Sequence, residues 1–138
     1  MAGFKTLEAW KVSMNLCVQI YEVTKSFPSE EKYGLVSQMR RAAVSVPSNV
    51  AEGYGQVSVG AYAHHLRIAK GSNNELETML ILSRELGYLQ DSSKLETSTA
   101  HVGSLLSGLI RSVEGNVVRE IDALYGNEET REPDDFPF

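Results

Sequence analysis

The sequence predicts an all-α fold, an antiparallel up-down-up-down four-helix bundle. Two observations carry this. Apolar residues recur three and four positions apart through most of the chain, and no segment alternates with period two for long enough to make a strand. Three short breaks, near residues 27, 56 and 91, divide the periodic stretch into four helices that reverse direction at each break. With 138 residues, 42% hydrophobic and 22% charged, the chain has the length and balance of one domain with one core. Residues 1–126 are assigned to the bundle, and 127–138 to an acidic, disordered tail that carries two prolines.

The first helix is expected to open after Thr6 as N-cap and to run to about Lys25, with Leu7, Trp10, Met14, Cys17, Tyr21 and Thr24 as its inward seam. Phe27-Pro28-Ser29 stops it, and Ser29 with Glu30 and Glu31 supplies the cap and first-turn acids of the second helix. That helix aligns Leu35, Met39, Ala42, Ala43, Val46 and Val50 on one face. Pro47 inside it predicts a kink or a break, and Gly53-Tyr54-Gly55 a left-handed terminus. The third helix, about Ser58 to Tyr88, carries the seam Tyr62, Leu66, Ala69, Asn73, Leu76, Leu80 and Ser83, two of whose positions are polar. Ser93 to Glu96 fits a capping box for the fourth helix. This last helix buries Leu95, Val102, Leu106, Leu109 and Val113, and continues through Val117, Ile121 and Leu124 to Gly126.

Two helices carry more apolar residues than one seam requires. The first has a second stripe of Val12, Leu16, Ile20, Val23 and Phe27, and the third has Ile68, Ile81, Leu82 and Leu89. Two opposite apolar faces point to contacts between subunits, with Val12, Leu16, Val23, Ile68 and Leu82 as the candidate interface. The alternative is a bundle whose helices tilt enough to bury broader faces.

Charge and composition bound the function. Residues 1–113 carry 11 Lys/Arg against 10 Asp/Glu, a balance of +1. Residues 114–138 carry 2 against 8, or −6, so the net −5 resides in the C-terminal region. No run approaches the roughly 20 apolar residues of a membrane span. The segment MAGFKTLEAWK lacks the apolar core of a signal peptide, so no membrane association and a cytoplasmic location are expected.

No reaction is legible. Cys17, on the apolar seam, reads as a small core hydrophobe whose thiol is held protonated by burial. His64 and His65 are adjacent on a helix and diverge by about 100°, so they and His101 read as surface residues, not metal ligands. Glu75 and Glu77 likewise diverge. Lys70, Glu77 and Arg84 recur every seven residues beside the third seam, where charges pair with a neighbouring helix. A strip of Gln38, Arg41, Ser45, Ser48, Asn49 and Glu52 on the second helix is open to three readings: a solvated flank, a network between helices, or a docking surface for another protein. The compact basic clusters are Arg40 with Arg41 and Arg67 with Lys70. Four such charges bind phosphate weakly on one chain and more strongly when an assembly repeats them; their alternative is solvated surface. No cofactor, no metal and no catalytic residues are expected.

Particular blocks then narrow the reading. Phe4 to Trp10, Thr24 to Pro28, Tyr33 to Leu35 and Gln38-Met39-Arg40-Arg41-Ala42-Ala43-Val44-Ser45-Val46-Pro47-Ser48-Asn49-Val50-Ala51-Glu52-Gly53 closely resemble the four-helix bundle proteins associated with 23S rRNA intervening sequences. The resemblance continues through Ala69 to Ser72, Glu75 to Glu77, Gly87 to Leu89 and Gly108 to Ile110, in order across residues 4–113. It implies a bacterial bundle of four antiparallel helices. It also implies kinship with the accessory variability protein of diversity-generating retroelements, a pentameric barrel that binds nucleic acid and a reverse transcriptase. Arg40, Arg41 and Lys70 match the family's basic positions. After Gly55, where the family often has several basic residues, stand Gln56, Val57, Ser58, Val59 and Gly60. The resulting expectation is a non-enzymatic homo-oligomer, a ring of five, that binds RNA or DNA through Arg40, Arg41, Arg67 and Lys70. The alternative is a scaffold that binds a protein partner through the polar strip or the tail.

Overall fold

A computed structural model describes residues 3–125, so the expected tail lies outside the described residues. Four long helices follow a short 3-10 turn at Phe4–Thr6: α1 (Glu8–Thr24), α2 (Leu35–Tyr54), α3 (Val59–Glu85) and α4 (Ser93–Tyr125), with a second 3-10 turn at Ser29–Glu31 before α2. No strand occurs among the described residues. Each helix packs on the next, and α4 closes back on α1, so α1 and α3 lie across the diagonal of a helical bundle.

The cross-helix bonds fix the direction of each helix. Arg40 at the start of α2 bonds Thr24 and Tyr21 at the end of α1. Ser45 and Asn49 in α2 meet Ser72 and His65 in α3, in descending register. Arg84 near the end of α3 bonds Glu96 at the start of α4, while Arg67 near its beginning pairs with Glu114 further along α4. Successive helices are therefore antiparallel.

The core of α2 is the expected face: Leu35, Met39, Ala42, Ala43, Val46 and Val50 are all buried. In α1 the inward row is Ala9, Ser13, Leu16, Ile20 and Thr24. Of the expected seam Thr24 is buried, Leu7, Trp10 and Cys17 pack partly against the core, and Met14 and Tyr21 are exposed. The buried row is spaced 4,3,4,4, and its small members Ala9 and Ser13 permit close helix approach that Trp10 and Met14 would prevent. Leu16 exposes 3% of its surface, so it is a core residue and not part of a subunit interface.

Several boundaries differ from the sequence reading for identifiable reasons. Thr6 does not cap α1; its hydroxyl donates to Gly3 O within the 3-10 turn, and Leu7 stands at the N-cap. Ser29 to Glu31 form their own turn, and Gly34 precedes α2. Helix α2 runs unbroken through Pro47, which is itself buried between the core residues Val46 and Val50. The missing N–H costs one hydrogen bond, and core packing on both sides outweighs it. The glycine in the left-handed region is Gly87, at φ 79°. There Tyr88 N–H donates to Ser83 O and Gly87 N–H to Arg84 O, the paired bonds of a Schellman terminus for α3. At α4 the cap sits one residue earlier than expected. Asp91 Oδ1 accepts from Ser93 N–H, and the buried Ser92 donates its hydroxyl to Glu96. The bonds from Ser93 hold the Asp91 carboxyl below its usual range.

Gly53 serves close approach, not a turn. A Cβ there would lie 2.9 Å from both His65 Cβ and Tyr62 Cδ2 and 3.2 Å from Tyr62 O, so α2 and α3 touch at the glycine backbone. Gly53→Ala is expected to lower the urea midpoint with an unchanged m value, at a cost of about 1–3 kcal/mol, because the two helices must separate. An unchanged midpoint would show that the contact is slack.

Candidate functional site

The four candidate basic residues do not form one patch. Arg40 turns back over α1: its Nε donates to Thr24 Oγ1 at 3.0 Å, Nη2 donates to Tyr21 O at 3.2 Å, and the guanidinium lies 4.6 Å from the centre of the Tyr21 ring. Its donors and its flat face are thus committed to fastening α2 onto α1. Arg41, its neighbour in sequence, is exposed. Arg67 is paired with Glu114 across α3 and α4, and Lys70 lines a depression between the same two helices. The α1/α2 groove and the α3/α4 groove lie on opposite flanks of the bundle. The candidate set is therefore split between them.

The candidate interface residues divide as well. Leu16 is in the core, and Val12 and Val23 pack partly against it. Ile68 and Leu82 are exposed on α3 together with Ile81. On α1 the outward apolar residues are Met14, Val18 and Tyr21, at positions i, i+4 and i+7, with Val18 57% exposed. Because α1 and α3 are diagonal, these two outward faces look in opposite directions.

Part of the polar strip of α2 is a network between helices. Ser45 Oγ and Ser72 Oγ are 2.8 Å apart, Asn49 Nδ2 donates to Ser45 O at 2.9 Å, and Asn49 Oδ1 lies 3.1 Å from His65 Nδ1. Glu52 approaches the same ring nitrogen at 3.8 Å. His65 is thus a half-buried partner in the α2/α3 seam, not the surface residue expected; His64 and His101 are exposed. Gln38, Arg41, Ser48 and Glu52 remain on the exposed flank.

Cys17 is half-buried, and burial pushes its thiol pKa up, which keeps it in the protonated, weakly nucleophilic form. Among the described residues no group of three or more His, Cys, Asp or Glu is placed to hold a metal ion. No described helix is long and apolar enough to cross a membrane. The heptad charges pair as their spacing indicates at one position: Arg84 Nη1 donates to Glu96 Oε2 at 2.9 Å.

The family model described as 23S rRNA-intervening sequence protein matches residues 5–108 of the chain. Among solved structures, the chain is similar to a protein of unknown function from the S23 ribosomal protein family of Bacteroides thetaiotaomicron VPI-5482. The two share 23% identity and a TM-score of 0.69 over 75% of this chain and 95% of that one. At this identity the likeness is one of fold. No curated protein matches the sequence significantly.

Proposed function

The chain belongs to the 23S rRNA-intervening sequence protein family, and on that premise we propose that it acts by binding, not by catalysis, as a cytoplasmic homo-oligomer whose repeated basic side chains meet nucleic acid. The observation that carries the reading is the pair of outward apolar faces, Met14, Val18 and Tyr21 on α1 and Ile68 with Leu82, two heptads apart, on α3. The two faces differ and look in opposite directions, so the association they support is head to tail, and head-to-tail contacts generate rings when the rotation closes. A ring of five is our reading, in keeping with the resemblance to the accessory variability protein.

Assembly matters for nucleic acid because a single chain has little charge to offer. Arg40 and Arg67 are held by partners in the same chain, which leaves Arg41 and Lys70 of the expected set to meet phosphate. Two contacts release few counterions; five copies release five times as many. Light scattering after gel filtration should give about five chain masses. RNA affinity should fall linearly with salt on logarithmic axes, and Arg41→Glu should flatten that slope. A monomer at micromolar concentration, or an unchanged slope in Arg41→Glu, would overturn the respective half of the proposal.

A further inference from the structure

We propose that the acidic segment 127–135 folds back along α4 and sets the carboxylates of Glu132, Asp134 and Asp135 on Lys70 and Arg111 in the depression between α3 and α4, masking both cations within one chain. The receiving surface is an open depression of about 340 Å³, lined by Lys70, Asn74, Glu77, Ser107 and Arg111 among others. Asn73 forms its floor. The residue is 1% exposed, its Nδ2 donates to Thr99 O at 2.8 Å, and its Oδ1 is buried out of an occupant's reach. What an occupant meets is therefore the charged rim.

The register of the helix pair sorts the charges of that rim. Arg67 pairs with Glu114 across α3 and α4, and Arg84 with Glu96 toward the other end. Lys70 stands three residues after Arg67 and Arg111 three before Glu114, so in the antiparallel pair both lie one turn from the same bridge, on the same side of it. They share one end of the hollow. Neither has an ion-pair partner among the described residues. Glu77, seven residues beyond Lys70 and about 10 Å further along α3 at the helical rise, stands at the other end. The end nearer the terminus of α4 is thus cationic, which suits an anion arriving from that terminus.

The segment that follows α4 is such an anion. Residues 127–138 carry five acids against one arginine, while residues 1–113 balance at +1, so no excess of like charge on the bundle repels them. Reach then selects among the acids. Tyr125, at the end of α4, stands fourteen residues beyond Arg111 and eighteen beyond Ser107, or about 21 and 27 Å at the helical rise. A chain returning from it covers at most about 3.3–3.6 Å per residue. Glu128 and Glu129, three and four residues on, cover no more than about 14 Å and fall short. Glu132, Asp134 and Asp135, seven to ten residues on, cover about 23–36 Å and span the distance. Pro133 biases Glu132 toward the extended backbone that this reach requires. A joined segment whose reach matches the span meets its own surface at an effective concentration on the order of millimolar. Exposed pairs that are individually weak then suffice at low salt.

The contact needs no nucleic acid and no second chain, so its test is independent of the function proposed above. A nitroxide on Phe136→Cys, in the full chain with Cys17→Ala, should broaden the amides of Asn74, Ser107 and Arg111 and spare those of Met14 and Tyr21 on α1. Raising the salt to about 0.5 M should reduce the broadening about threefold or more. Glu132→Gln with Asp134→Asn and Asp135→Asn should abolish it, as should Lys70→Ala with Arg111→Ala at a retained melting temperature. Glu128→Gln with Glu129→Gln should keep most of it. Without the competing carboxylates, the Glu132/Asp134/Asp135 variant should bind inorganic tripolyphosphate about threefold tighter or more at low salt than the unaltered chain. Absent or uniform broadening, broadening that survives either of the first two sets of substitutions, or equal tripolyphosphate affinity would overturn the proposal. Spin-labelled chains refolded from urea together with isotope-enriched, unlabelled chains decide between copies. Unbroadened enriched chains support the contact within one chain, and broadened ones would assign the segment to a neighbouring copy and overturn it.

Discussion

Leu16→Glu should yield a chain that does not fold at 25 °C, with its far-UV helical signal lost and no cooperative melting. The side chain is 97% removed from solvent within a single chain, in the same buried row as Ile20 and Thr24. Removing it forfeits about 1.5–3 kcal/mol of apolar burial. The carboxylate in its place must be desolvated without a partner or protonated against its normal preference, which adds several kcal/mol. Together these rival the roughly 5–15 kcal/mol by which a domain of this kind is stable. The stripe in the sequence that contains Leu16 also admits a subunit-interface reading, under which the same variant would dissociate into folded monomers. Circular dichroism with light scattering on one sample separates the outcomes, and a folded monomer would contradict the core placement.

The ambiguity at Leu16 shows where sequence reasoning reaches its limit. Helix α2 has one apolar face, so periodicity alone identifies Leu35, Met39, Ala42, Ala43, Val46 and Val50 as core residues. Helix α1 has two apolar stripes of similar length, and periodicity is silent on which of them faces inward. A sequence signal for the answer does exist: Ala9 and Ser13 continue the Leu16, Ile20, Thr24 row, and small residues mark the side where helices approach closely. The glycines divide in a similar way. Gly53 and Gly87 both end helical segments, but only the fold distinguishes a glycine that admits a neighbouring helix from one that adopts a positive φ. At the start of α4, three consecutive residues, Asp91, Ser92 and Ser93, are all competent to cap, so composition places the cap to within one residue.

The candidate site was legible in residue type and not in partnership. Arg40 and Arg41 look alike in sequence, yet Tyr21 and Thr24 engage the first and leave the second exposed. Asn49 and His65 are sixteen residues apart and meet through the α2/α3 packing. Asn73 was visible as a polar interruption of an apolar seam. Its one satisfied atom and one unsatisfied atom depend on where Thr99 of α4 falls, and that is a property of the tertiary register.

Val18→Glu and Leu82→Glu, each made singly, should convert the proposed assembly to folded monomers, and an equimolar mixture of the two should recover a dimer. Val18 is 57% and Leu82 45% exposed on the single chain, so a carboxylate at either position costs the isolated bundle little, within about 0.5 kcal/mol. In a head-to-tail contact the α1 face of one copy meets the α3 face of the next, and each substitution then places an unpaired charge in every interface of the ring. The mixture differs because the Val18→Glu chain retains an intact α3 face and the Leu82→Glu chain an intact α1 face. One unaltered interface can form between them, and the pair cannot grow further because its two outer faces are the damaged ones. A symmetric contact of α1 on α1, or α3 on α3, behaves otherwise: one variant would keep the size of the unaltered protein and mixing would add nothing. Light scattering on the two variants and their mixture therefore separates head-to-tail from symmetric association, and a mixture that stays monomeric rules out the head-to-tail contact through these faces.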